Sequence, residues 1–228
     1  MSERHGIIDT IVDNFVPVHG DGHKFIAVAL GLALLFFLIW PPLAWLLVIV
    51  ACYIAYFFRD PDRVTPQREG LIVAPADGRV TAVEAVRPPV ELGLGPEERV
   101  RISTFLSVLD VHITRSPVAG KIVRSIYVPG AFLNAALDKA SEENERRAII
   151  IEKPDGVEIA VVQIAGLIAR RIVTYSKEGE AVQQGQRMGM IRFGSRVDVF
   201  LPPGATVRVR IGDVTFAGTS VIAEMPSR

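Results

Sequence analysis

The stretch MIRFGSRVDVFLP, residues 190–202, reads as a β-strand broken at its centre. Apolar and polar residues alternate on both sides, the period of a half-buried strand, yet Gly194 and Ser195 stand between them. A glycine inside a strand weakens it and marks either a bulge or a place where another group approaches the backbone. The bulge is the commoner meaning. The second reading is chemical: a serine hydroxyl lies near the carbonyl carbon of the preceding residue, and attack there converts the amide to an ester. Glycine at that carbonyl removes the Cβ that would obstruct the strained backbone required. A hydrolase elbow of the GxSxG type leads from a strand into a helix, whereas FGSRVD has strand-like sequence on both flanks.

From Leu71 onward similar short runs recur: LIVAPADGRVTAVEAV, RVRISTFL, GKIVRSIYV, RAIIIEK, VEIAVVQIAG, RIVTYS, RMGMIRF, RVDVFLP and TVRVRIGD. Turn signals such as Asp77-Gly78, Pro154-Asp155-Gly156, Glu178-Gly179 and Pro202-Pro203-Gly204 separate them. This spacing predicts a mainly β domain with a few helices, an antiparallel sandwich or barrel. One soluble helix is predicted, AFLNAALDKASEENER over residues 131–146. VAPADGRVTAVE and KEGEAVQQGQRMGMIRF are similar to the two halves of a biotinyl/lipoyl-type β-sandwich, which argues for a barrel-sandwich-hybrid-like fold. A non-enzymatic carrier of that type is one alternative. It would present a modifiable lysine beside methionine, and no Met-Lys-Met stands here, so the likeness is read as one of fold.

The segment Phe25–Phe58 breaks the β pattern, with no charged residue, histidine, Asn or Gln in 34 residues. As one straight helix it would be about 51 Å long, whereas about 20 residues cross a bilayer core. Pro41-Pro42 breaks or kinks a helix, leaving two arrangements: one long kinked span, or a hairpin of two short helices. Lys24 precedes the block and Arg59, Arg63 and Arg68 follow it, which favours both ends on the cytoplasmic face of the cell membrane. The chain is thus expected to comprise an amphipathic lead-in at residues 1–24, a membrane-associated helical segment at 25–58 and a β domain at 59–228. The three flanking arginines also suit contact with anionic lipid.

Lys plus Arg and Asp plus Glu both number 25, so no charge imbalance points to nucleic acid. One cysteine, Cys52, excludes a disulfide framework and a multi-cysteine metal site; no metal is expected. A nucleophilic Ser195 needs a base, and His112, in FLSVLDVHITRSPVAG, is the one histidine of the β domain. Asp77, in VAPADGRV, is the candidate to orient it. Each has a plainer reading, His112 as a core histidine and Asp77 as an Asp-Gly turn. The same three residues also suit a membrane-anchored Ser-His-Asp lipid hydrolase.

Taken together and in order, the apolar segment, FFRDPDRVTP, VAPADGRV, FLSVLDVHITRSPVAG, NERRAIII, QIAGLIARRIV and GQRMGMIRFGSRVDVFLP resemble the phosphatidylserine decarboxylase family in its short bacterial and archaeal form. The resemblance covers essentially the whole chain, and RFGSRVD and DVHITRSPVAG are its specific parts. It implies self-cleavage at Gly194–Ser195, with Ser195 as nucleophile, His112 as base and Asp77 as its orienter. The products are a β chain of residues 1–194 and an α chain of residues 195–228 whose Ser195 has become a pyruvoyl group. The flanking strands are expected to share one sheet and so keep the two chains together. The pyruvoyl would form a Schiff base with the amine of phosphatidylserine, replacing pyridoxal phosphate as electron sink. Loss of CO2 then gives phosphatidylethanolamine, and the partners implied are the lipid substrate and the membrane. Long forms carry a second histidine three residues after the first, where this chain has Arg115. Arg115 is either a ligand for substrate carboxylate or phosphate, or a solvated surface arginine.

Overall fold

Pro41 and Pro42 start a helix rather than kink one. In the computed structural model, which describes residues 16–131, 143–166, 172–191 and 195–226, the apolar stretch forms α1 (Gly20–Phe37) and α2 (Pro41–Phe57). The prolines occupy the first turn of α2, where a missing N–H leaves no helical bond unmade. The helices fold back on each other, so of the two expected arrangements the hairpin is the one formed. Ala29, Ala33, Ala44 and Ala51 are buried, small side chains of the kind that let two backbones approach. Phe37 meets Trp45 edge-on at 5.5 Å near the turn, and Phe25 stacks on Phe58 at 5.8 Å near the open end. There Val18 and Arg59 form an antiparallel bridge, with His19 N–H donating to the Phe58 carbonyl at 2.8 Å and Asp60 N–H to that of Pro17 at 2.7 Å. Leu34, Leu38, Trp40, Trp45 and Ile49 are exposed. By length and composition α1 is apolar enough to cross a membrane, and α2, at 17 residues, is slightly shorter.

Residues Met1–Asp62 and Arg63–Arg228 form two compact units. Apart from one turn of 3-10 helix (Val90–Leu92), the regular structure described in the second is β. Its strands are β1 (Leu71–Val73), β2 (Gly78–Val86), β3 (Arg99–Leu106), β4 (Ile113–Arg115), β5 (Gly120–Val128), β6 (Arg146–Glu152) and β7 (Glu158–Ala165). They continue with β8 (Ile172–Thr174), β9 (Ala181–Val182), β10 (Arg187–Ile191), β11 (Ser195–Phe200), β12 (Thr206–Val207), β13 (Val214–Thr215) and β14 (Val221–Glu224). Eight form one antiparallel sheet in the order β13-β2-β3-β11-β7-β6-β5-β9, and two three-stranded sheets, β1-β14-β12 and β4-β10-β8, complete the unit. The large sheet curls into a half-barrel. One of its faces, carrying Ile102, Leu106, Ile149, Ile151, Val161, Val197 and Val199, shares a core with Ile72, Met188, Ile191 and Ile222 of the small sheets. The other face buries Leu92, Ala148, Ile150, Val162, Ile164 and Phe200. Burial on both faces explains the unbroken apolar runs AIII (148–151) and IAVV (159–162) in β6 and β7.

Two expectations need correction. β10 and β11 do not share a sheet: β10 pairs with β4 and β8, and β11 with β3 and β7. Alternation reports which faces of a strand are covered, not which strand lies beside it, so it hid the change of sheet. The soluble helix does not reach residue 146 either, since Asn144 bridges to Ala131 and Arg146 opens β6. The rest of that helix (132–142), the lead-in up to residue 15, and Gly194 lie outside the described residues.

Candidate active site

Four strand termini meet at one end of the large sheet: β2 begins at Gly78, β3 ends at Leu106, β11 begins at Ser195 and β7 ends at Ala165. Ser195 is in register with Leu106 on one side and Ala165 on the other. On the far side of β3, Arg79 faces Phe105. Adjacent strands lie about 4.8 Å apart, so the start of β2 is about 10 Å from Ser195. Gly78 makes the entry into β2 possible. Its φ is +150°, and a Cβ there would collide with the Phe105 carbonyl oxygen.

Asp77, just before that glycine, is buried. Its Oδ2 accepts from Arg63 Nη2 at 2.7 Å and its Oδ1 from the Ala217 N–H at 2.7 Å. Burial pushes its carboxyl above the ordinary carboxylate value, although the Ala217 hydrogen bond and the Arg63 charge pull the other way. Neither oxygen bonds to His112.

The loop after β3 carries His112 back to the same end. Asp110 Oδ2 accepts from the Ser107 N–H at 2.7 Å and closes the turn. The fully buried His112 places Nδ1 2.9 Å from the Asp110 carbonyl oxygen. A carbonyl only accepts, so Nδ1 bears the proton and Nε2 carries the lone pair of the neutral ring. The main chain of Asp110 thus makes the orienting contact that the sequence reading gave to Asp77. Ile191 N–H donates to the His112 carbonyl at 3.3 Å, which ties the end of β10 to this histidine. Ile191 is four residues before Ser195, so at most about 14 Å of chain separates their Cα atoms. Arg115 N–H donates to the Pro75 carbonyl at 2.8 Å, which lays the VAPADG segment along β4. Chain topology therefore gathers Ser195, His112 and Asp77 at one end of the sheet.

Ser195 is fully buried on the face of β11 that carries Val197 and Val199, and among the described residues its Oγ has no hydrogen-bond partner. A buried hydroxyl left unpaired costs about 1–3 kcal/mol, and an uncompensated cost of that kind calls for an explanation in function or a missing ligand.

A family model for phosphatidylserine decarboxylase matches residues 51–223. Over 220 residues the chain is 53% identical to the phosphatidylserine decarboxylase proenzyme of Cereibacter sphaeroides, an alignment covering 96% of this chain and 95% of that one. The chain belongs to the phosphatidylserine decarboxylase family. Asp77, His112, Arg115 and Ser195 all fall within the stretch matched by the decarboxylase model.

Within this decarboxylase-family chain, Arg115 is not a surface residue. It is 6% exposed, its Nη1 donates to the Gly185 carbonyl at 3.1 Å, and its stem packs where Gly218 has no side chain. The arginines after the apolar block are engaged too. Arg59 lies over the Tyr56 ring, Arg63 holds Asp77, and Arg68 pairs with Glu224.

Gln163 escaped the sequence reading. Fully buried in β7, opposite Val197, it donates from Nε2 to Thr114 Oγ1 at 2.6 Å and so bridges the large sheet to β4. Gly189 of β10 leaves the room: a Cβ there would sit 3.1 Å from Gln163 Nε2. The available signal was one amide inside the otherwise aliphatic run IAVVQIAG. Among the described residues no three His, Cys, Asp or Glu side chains are grouped as metal ligands.

Proposed function

We propose that the chain is a phosphatidylserine decarboxylase that cuts itself at Gly194–Ser195 and converts phosphatidylserine to phosphatidylethanolamine and CO2 at the cytoplasmic face of the cell membrane. The observation that carries this reading is the buried hydroxyl of Ser195 at the start of β11, unpartnered among the described residues, beside the loop that bears His112. In the cleavage, His112 Nε2 takes the Ser195 hydroxyl proton as Oγ attacks the Gly194 carbonyl carbon, and the amide becomes an ester. Removal of the Ser195 α-proton then breaks the Cβ–O bond and releases Gly194 as a carboxylate. The dehydroalanine left behind tautomerises to an imine, and water replaces its nitrogen, releasing ammonia and leaving a pyruvoyl group.

The residues present fit that group. Position 195 is enclosed and its oxygen has no hydrogen-bond partner among the described residues, and Asp77 supports a cationic His112 by its charge. The pyruvoyl group supplies a carbonyl that draws off the electron pair left when the carboxylate departs as CO2. His112 returns a proton to the reacting carbon. Arg115, a buried cation, favours the carboxylate or phosphate of the substrate. The apolar segment 25–58 anchors the domain 59–228 at the interface, where a diacyl lipid resides. The products, chains 1–194 and 195–228, stay together as a heterodimer.

Intact masses of the purified chains, wild type beside Ser195→Ala, test this reading. Two wild-type chains meeting at 194/195, the smaller blocked to Edman degradation and carrying a ketone, are expected, with the variant uncut. An uncut wild-type chain that reacts with an acyl-serine trap would make it a hydrolase instead.

A further inference from the structure

Composition alone counts Arg63 among the positive flanks of the apolar block. Its side chain does something else. The side chain is 17% exposed, with Nη2 2.7 Å from Asp77 Oδ2, and its guanidinium lies over the Phe216 ring at 5.4 Å. Phe216 precedes Ala217, whose N–H holds the other Asp77 oxygen at 2.7 Å. Asp77 is thus gripped from two distant parts of the chain, one ahead of β1 and one in the segment that follows Ser195. The charged side chains acting on it are Arg63, which favours the anion, and Asp110, which with burial opposes it.

We propose that Arg63 is a positioning residue for the cleavage at Ser195, holding the Asp77 carboxylate both ionised and fixed at the sheet end where His112 acts. This rests on the reading above, in which Asp77 acts through its charge. A planar guanidinium suits the place because it bonds the carboxylate with its edge and meets the Phe216 ring with its face. Without it the carboxyl would face burial and the Asp110 charge with one backbone hydrogen bond to oppose them. A partner cation at this range is worth roughly one to three pH units to a carboxylate.

The test follows cleavage of the full chain, pulse-labelled in cell-free synthesis and moved into buffers from about pH 5 to pH 9. In the wild type the rate is expected to fall on the acid side. Arg63→Gln is expected to move the midpoint of that fall upward by about one pH unit or more. Near the new midpoint its cleavage would be about half that of the wild type, and below the wild-type midpoint about tenfold slower, with the rate recovered at alkaline pH. Arg63→Lys keeps the charge and is expected to keep the midpoint. In an Asp77→Asn background, Arg63→Gln should add no further shift, because its effect runs through that carboxylate. Melting of each substitution in the uncut Ser195→Ala chain establishes folding; if Arg63→Gln does not fold, the Arg63→Lys midpoint decides. An unmoved midpoint in Arg63→Gln, uniform slowing without alkaline recovery, or a shift in Arg63→Lys overturns the role given to Arg63 while leaving self-cleavage intact. A wild-type chain uncut at every pH overturns the proposed function itself.

Discussion

In the folded chain the Asp77 carboxyl keeps its proton to a higher pH than in the unfolded chain, because burial outweighs the Ala217 hydrogen bond and the Arg63 charge. Below the ordinary carboxylate value both states are protonated. Between that value and the raised native one, only the folded state holds the proton, so this group's contribution to stability falls as pH rises across the window and is constant above it. Denaturant melts of the uncut Ser195→Ala chain with and without Asp77→Asn, from about pH 4 to pH 8, should show the Asn variant gaining relative stability through that window. A relative loss would contradict the assignment. His112 is tested separately: His112→Ala should slow cleavage by about 100-fold or more while the chain stays folded by circular dichroism. Ser195 and His112 could be named as candidates from the sequence, as a serine after a strand glycine and as the one histidine of the β domain, and Asp77 through the family resemblance. The contacts of Arg63, Gln163 and the Asp110 carbonyl were not legible, since each is made to a partner distant in sequence or by main chain that a side-chain reading does not see.

The strands were readable as elements, because turn residues punctuate runs whose faces are buried. Their allocation to sheets was not, and β10 and β11 show why: both alternate correctly, yet each answers to different neighbours. The helical hairpin was half legible, as a proline pair permits both a kink and a fresh start, and the packing of Ala29, Ala33, Ala44 and Ala51 selects the second. Its outward side chains carry a prediction. Leu34 and Ile49 are exposed, and an aspartate at each would cost about 3 kcal/mol in a bilayer centre. Leu34→Asp with Ile49→Asp should therefore shift the chain out of the vesicle-bound fraction on flotation. Undiminished flotation would remove the hairpin as the anchor.

At the scale of the whole molecule, the fragment 195–228 is woven through the β unit. β11 lies inside the large sheet between β3 and β7, β13 borders β2, and β14 sits between β1 and β12. The proposed cleavage at its first residue would leave those ladders intact, so the two chains should co-migrate under native conditions and part only in denaturant. Once parted they meet as separate solutes, whereas an uncut chain presents its own strand at an effective concentration of about a millimolar. Diluted from urea at micromolar concentration, the uncut Ser195→Ala chain should regain its near-ultraviolet circular dichroism and the cut wild type should not. Full recovery of the cut protein would show that β11 is dispensable for assembly. If the chain is cut as proposed, an interior strand that belongs to the cut-off piece gives the mature protein a memory it cannot rewrite: its shape would record a folding event that its severed chains no longer encode as one molecule.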